Sequence, residues 1–211
     1  MKNRGGKNIK AHPNIGRAKF LRLIKSFVIP SELEKIETAY IFAKYGHRNQ
    51  MRDDQITRYF EHPKAVTLIL IQELQIFDWH AIVLGLLHDI KEDSFILSWE
   101  MVQKIFGPTV TRGLKVLTKE PKKGYEKRLI QSENKLALTV KLCDRLHNMR
   151  TINNCSKEKI ERKIKETEKK YLPIADMLIA RLPAKDRWKG EYLKDQIMNI
   201  CQEALANEDN A

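Results

Sequence analysis

Apolar side chains recur along this chain at helical spacing, with no regular run of short alternating strands. Phe20, Leu21, Ile24, Phe27 and Val28 define a short amphipathic helix that ends near Pro30. Ser31, with Glu34 three residues on, reads as the capping box of a second helix. Its Leu33, Ile36, Ala39, Tyr40 and Ala43 share one face as far as Gly46. Residues 47–60 are polar and mixed, and are expected to form a loop. A helix is expected from Pro63, a favoured first-turn residue, to Leu74. Asp78 is placed to cap the next helix, where Ala81, Ile82, Val83, Leu84, Leu86 and Leu87 leave almost no polar face. Such a helix is normally buried inside a bundle.

That apolar run ends abruptly at His88-Asp89-Ile90-Lys91-Glu92-Asp93. Short helices are expected over Ser98–Phe106, closed by Gly107-Pro108, and over Val110–Leu117. Residues 118–128 are basic and turn-rich, and are expected to be mobile. Leu136–Met149 reads as a second largely buried helix, again interrupted by polar groups at Asp144-Arg145-Leu146-His147-Asn148. A long charged helix or helix pair spans 156–182, bent or broken at Pro173, and Trp188–Ala206 closes the chain amphipathically. The expected architecture is an all-α helical bundle. It divides into a basic N-terminal tail with a short helix (1–30), one main domain (31–182) and a C-terminal helix packed on that domain (183–211).

Composition changes this picture little. Leu, Ile, Lys, Glu and Ala dominate, and 9 Gly and 7 Pro are few for 211 residues. The formal net charge is +12, and residues 1–31 hold eight Lys or Arg and no acidic residue. Residues 1–16 lack an apolar period and are expected to be disordered. Such an excess of positive charge attracts anions of any kind. Without interleaved aromatic residues or a recognised module it does not favour nucleic acid as partner. The apolar stretch Phe20–Pro30 is too short to span a bilayer and is interrupted by Arg22 and Lys25. Cys143, Cys155 and Cys201 are odd in number and lack Cys-x-x-Cys spacing, which suits reduced thiols in the cytoplasm.

The chemistry concentrates where polar residues interrupt the apolar helices. A buried carboxylate with no partner costs several kcal/mol, so Asp89 needs a cation or strong donors beside it. Taken alone, His88-Asp89 reads more readily as a core histidine bonded to its neighbour. His62, at the start of one apolar helix, and Asp144, inside another, change that reading. The four supply two imidazoles and two carboxylates from three helices, a mixed nitrogen and oxygen set suited to manganese, iron or magnesium and without the thiolates of a structural zinc site.

The order His…His-Asp…Asp is the signature of the HD phosphohydrolases, and the chain further resembles the hydrolase domain of the RelA/SpoT alarmone family. His47-Arg48-Asn49-Gln50-Met51-Arg52 matches H-x-x-Q-x-R, and Tyr59-Phe60-Glu61-His62-Pro63 resembles Y-I-x-H-P. Leu86-Leu87-His88-Asp89-Ile90-Lys91-Glu92-Asp93-Ser94 resembles L-L-H-D-V-V-E-D-T. Residues 141–151 depart from K-L-A-D-R-L-H-N-M-R-T only at Cys143. Glu166-Thr167 and Tyr171-Leu172-Pro173-Ile174-Ala175 resemble E-T-x-x-x-Y-A-P-L-A. The likeness runs over residues 33–180, and in length the chain is similar to the single-domain small alarmone hydrolases.

The resemblance implies hydrolysis of the 3′-pyrophosphate of (p)ppGpp to GDP or GTP, with a bound manganese or other divalent ion. By position it implies His62, His88, Asp89 and Asp144 as metal ligands, and Glu92 and Asp93 as the acidic pair that activates water. It implies Arg52, Asn148 and Thr151 around a small anionic nucleotide. His47 and His147 fall in the motifs but outside the ligand set, and read as structural. The loop departs from the family at Asp53, where Lys is common, and at Gln55-Ile56-Thr57-Arg58, where Gly and Pro are missing. Two other readings therefore stand beside the first: an HD enzyme on another nucleotide, such as NADPH or an adenine alarmone, and a non-catalytic nucleotide-binding protein. A homo-oligomer stays open, and no synthetase domain fits within the chain.

Overall fold

The computed structural model describes residues 15–94 and 96–208, and the side chains of Asp93, Asn207 and Glu208 lie outside that description. Eleven α-helices are found there: α1 (Arg17–Lys25), α2 (Pro30–Gly46), α3 (Glu61–Leu68), α4 (Trp79–Leu87), α5 (Ile90–Asp93), α6 (Trp99–Leu117), α7 (Tyr125–Gln131), α8 (Lys135–Arg150), α9 (Lys157–Glu166), α10 (Leu172–Arg181) and α11 (Arg187–Glu208). π-Helical turns, Ile69–Glu73 and Thr167–Tyr171, extend α3 and join α9 to α10. The only extended pairing among the described residues is the isolated bridge between Met51 and Arg58. The all-α bundle expected from the apolar periodicity is the fold.

Two helices form its centre. From Ala81 to Leu87 every residue of α4 is buried, and α8 is buried from Ala137 to His147. Helix α4 packs against α2, α3, α6 and α8, while α8 packs against α3, α6, α10 and α11. Asp78 caps α4 by accepting from the His80 N–H (2.7 Å), and Asn134 caps α8 by accepting from the Ala137 N–H (3.0 Å). Gly85 lets α4 approach α3 closely, because a Cβ there would lie 2.8 Å from Thr67 Oγ1. That approach brings His62 on α3 near His88 at the end of α4.

Several local expectations need correction. The cap of α2 lies two residues earlier than Ser31 and Glu34: the Glu32 carboxylate accepts from the Ile29 N–H at 3.1 Å, with Pro30 as the first helical residue. Proline has no N–H to leave unpaired and its φ suits a helix start, so it fixes the register. The helix expected from Pro63 already begins at Glu61. The two helices on either side of Gly107-Pro108 are there, run together across a kink where Gly107 takes φ 80°. Within 118–128, Thr118 is buried and helix α7 starts at Tyr125, an element the polar composition concealed. The disorder expected for residues 1–16 lies outside the described residues as far as position 14, but Ile15 is buried and its carbonyl accepts from the Lys64 ammonium (2.8 Å).

Candidate metal centre and its surroundings

His62 stands in the first turn of α3, His88 and Asp89 at the break between α4 and α5, and Asp144 midway along α8. The helix break matters, because adjacent residues on a continuous helix point about 100° apart. His88 Nε2 lies 3.0 Å from Asp89 Oδ2, and His62 Nε2 lies 3.1 Å from Asp144 Oδ1. The two Nε2 atoms are 3.3 Å apart. Ligand atoms of His62, His88 and Asp144 fall within 4.8 Å of one another, and Asp89 Oδ2 is 3.6 Å from His62 Nε2. All four residues are buried. The fold thus brings together the whole set singled out in the sequence.

Each member is held from behind. The Gly85 carbonyl lies 2.9 Å from His88 Nδ1, so the neutral tautomer that donates there turns the Nε2 lone pair inward. His62 Nδ1 meets His147 Nδ1 at 2.8 Å. Asp89 accepts from the Tyr59 hydroxyl (2.7 Å). Asp144 accepts from the Lys141 ammonium (2.7 Å) through Oδ2 and from the Asn148 amide (2.6 Å) through Oδ1. Inward lone pairs and carboxylate oxygens at these separations repel one another unless protons or a cation stand between them. The donor set fits a divalent ion, with nitrogen and oxygen ligands and no sulfur.

Electrostatics point the same way. Burial opposes charge on Asp89 and Asp144, yet the His88 imidazole beside the first and the Lys141 ammonium beside the second hold both carboxyls well below their usual range. Burial also disfavours charge on His88 and Lys141. The carboxylates outweigh it, so His88 is raised and Lys141 lies well above the ordinary lysine value.

Arg52, Asn148 and Thr151 also come together. The Arg52 guanidinium donates to Asn148 Oδ1 (2.9 Å) and Thr151 Oγ1 (3.2 Å), which lie at the C-terminal end of α8. Glu92 sits on α5 and accepts from Lys119 twice, from the backbone N–H (2.8 Å) and from the ammonium (2.9 Å). Asp93 ends α5, and its side chain lies outside the described residues. Lys119 also lines a cavity of about 580 Å³ with Lys122, Lys127, Lys170, Glu126, Glu166 and Tyr125, whose buried hydroxyl has no hydrogen-bond partner among the described residues. Sequence reasoning assigned no role to Tyr59, Lys119 or Lys141. Only a buried lysine three residues before Asp144, one helical turn away, carried a signal.

Beyond the centre, Arg150 at the end of α8 donates to both oxygens of Glu73 (2.6 and 2.8 Å), and the Tyr192 hydroxyl of α11 donates to the same carboxylate (2.5 Å).

A helical bundle that gathers two histidines and two aspartates from three helices at one buried point defines a class of histidine–aspartate domains. The chain belongs to the HD-domain family, whose profile matches residues 39–179. It is 37% identical over 158 residues to a GTP pyrophosphokinase of Streptomyces coelicolor, covering 70% of this chain and 18% of that protein. It is 30% identical over 169 residues to the bifunctional (p)ppGpp synthase/hydrolase SpoT of Escherichia coli, covering 74% of this chain and 24% of that protein. The chain therefore spans about a fifth to a quarter of the length of these relatives. A solved structure of a metazoan orthologue of SpoT, described as hydrolysing ppGpp, superposes with a TM-score of 0.61 at 26% identity. That match covers 80% of this chain and 94% of the other. Among the described residues no helix is long and apolar enough to cross a membrane.

Proposed function

We propose that this chain is a manganese-dependent hydrolase that removes the 3′-pyrophosphate of (p)ppGpp, releasing GDP or GTP and pyrophosphate. One observation carries the reading: Asn148 donates to Asp144 of the buried cluster and accepts from Arg52, so one side chain joins the metal half of the site to the nucleotide half. The SpoT and metazoan relatives support the same substrate.

His62, His88, Asp89 and Asp144 would hold the ion. A bound divalent ion supplies charge neutralisation at a phosphoryl oxygen and a water of lowered pKa. Arg52 exchanges its bonds to Asn148 and Thr151 for the nucleotide, and its planar guanidinium suits either a base face or phosphate oxygens. Glu92, oriented by the two Lys119 donors, accepts the proton of the attacking water, with Asp93 as its partner in the acidic pair. Lys141 anchors Asp144 from the side away from the imidazoles. The cavity beside Glu92, where four lysines outnumber Glu126 and Glu166, has a positive excess and the volume for the second phosphorylated end of the substrate. In this reading the catalytic unit is residues 31–182, with the C-terminal helix packed on it, and it acts in the cytoplasm.

The test is hydrolysis of ppGpp by purified protein with manganese, beside Asp89→Ala, with products separated by chromatography. Release of GDP and pyrophosphate by the wild type alone is expected. Folded, metal-loaded wild type that leaves ppGpp intact sinks the reading, and NADPH and an adenine alarmone in the same assay then decide the base.

A further inference from the structure

Asp53 follows Arg52 but turns the other way. Its carboxylate meets the Lys159 ammonium at 2.7 Å and the Lys163 ammonium at 3.4 Å, both on α9, and accepts from the Cys155 thiol at 3.3 Å. Lys163 also donates to that sulfur at 3.3 Å. These contacts join positions more than a hundred residues apart in sequence. On either side the loop is tied to itself: the Arg52 N–H donates to the Thr57 carbonyl (2.8 Å), and Asp54 accepts from the N–H groups of Ile56 and Thr57. Among the described residues, no other hydrogen bond or ion pair of residues 53–58 reaches a distant element. Without Asp53 the turn would hang from Arg52 alone, and Arg52 must release Asn148 and Thr151 to take a ligand.

We infer that Asp53, Lys159 and Lys163 form a clasp that holds the 51–58 turn against α9, making Asp53 a positioning residue for Arg52. The inference rests on the nucleotide-binding role proposed for Arg52. The clasp acts before any substrate arrives: it fixes the backbone from which the guanidinium swings, so that binding need not order the loop. Hydrogen bonding from Lys159 holds the Asp53 carboxyl well below its usual range, which keeps the clasp charged. The Lys159 and Asp53 side chains are 35% and 40% exposed, so salt weakens their attraction.

The experiment has a substrate-free arm and a kinetic arm, on the full chain with its metal. Amide hydrogen exchange over residues 50–58 should quicken in Asp53→Asn, by about twofold to fivefold given the strength of such partly exposed pairs. It should quicken with added KCl in the wild type but not in the variant. Exchanging the charges in Asp53→Lys with Lys159→Asp should restore part of the protection. In the kinetic arm KM for ppGpp should rise by a similar factor while kcat is kept. Unchanged exchange in Asp53→Asn overturns the clasp. Faster exchange with unchanged KM overturns the positioning role. If the wild type does not act on ppGpp, the activity reading fails, while the exchange arm still decides the clasp.

Discussion

Lys141→Met is the most direct probe of the charges beneath the site. Lys141 is 3% exposed, and its ammonium lies 2.7 Å from Asp144 Oδ2, an oxygen on the face away from His62. Methionine keeps most of the length of the chain and removes only the charge. Breaking one partner out of a buried ion pair costs about 3–5 kcal/mol, because the other charge is left uncompensated. Asn148 still donates to Asp144 and the imidazoles remain close, so the lower end, about 3 kcal/mol, is expected for the metal-free protein. A divalent ion held by Asp144 would take over the same compensation. Two cations on one carboxylate also repel each other, so removing Lys141 should tighten metal binding, and the coupling is reciprocal. The destabilisation measured with saturating manganese should therefore be smaller than in EDTA. Urea unfolding followed by circular dichroism, with and without metal, gives both numbers, and calorimetric metal titration must close the cycle. An apo variant within about 0.5 kcal/mol of wild type, the spread expected for a surface substitution, would refute the argument. So would a loss equally large with and without metal.

Other consequences are more local. Gly113→Ala places a Cβ 2.7 Å from a Leu84 methyl at the α4–α6 contact, and should cost about 1–3 kcal/mol, part of which Leu84→Val recovers in a thermal melt. Cys143 and Cys201 are buried, and burial pushes the Cys201 thiol up to about 11, so a native thiol titration should label Cys155 first and leave the other two until denaturant is added. Because the folded Asp53 carboxyl is depressed, its contribution is present above the unfolded carboxylate pKa and fades only as pH falls through the lower folded value. Loop protection, corrected for intrinsic exchange, should thus be the same at about pH 5 as at pH 7, both above that window. Gln55 holds φ 56°, a left-handed conformation that costs a side chain about 1–2 kcal/mol, so Gln55→Gly should not destabilise the protein in the same melts.

Much of the site was legible because it is expensive. Carboxylates do not sit beside Leu86-Leu87 or inside Leu136–Met149 without compensation, so Asp89 and Asp144 announced themselves against apolar runs. Helix α4 was legible for the same reason, since a segment without a polar face has only the interior to occupy. What stayed hidden depends on distances the chain does not encode locally. Tyr59 and Asp89 are 30 positions apart, and Glu92 and Lys119 are 27 apart, so nothing in their spacing predicts a bond. Helix α7 was missed because its charged residues leave Leu129 as its one buried side chain. At α2 a plausible Ser-x-x-Glu pattern misled, because Pro30 sets the start of the helix and leaves Ser31 already inside it.

The Glu73 carboxylate, where Arg150 of α8 and Tyr192 of α11 meet, sets the smallest unit that can be moved intact between proteins. The family profile ends at residue 179, before α11 begins. A graft cut there would strip the phenol from Glu73 and remove the buried Leu193 and Ile197, uncovering the α8 and α10 surfaces on which α11 packs. Asn148 and Thr151 flank Arg150 on the same turn, so the damage would reach the bonds they make with Arg52. The transferable module is therefore longer than its family signature, and the last helix travels with it.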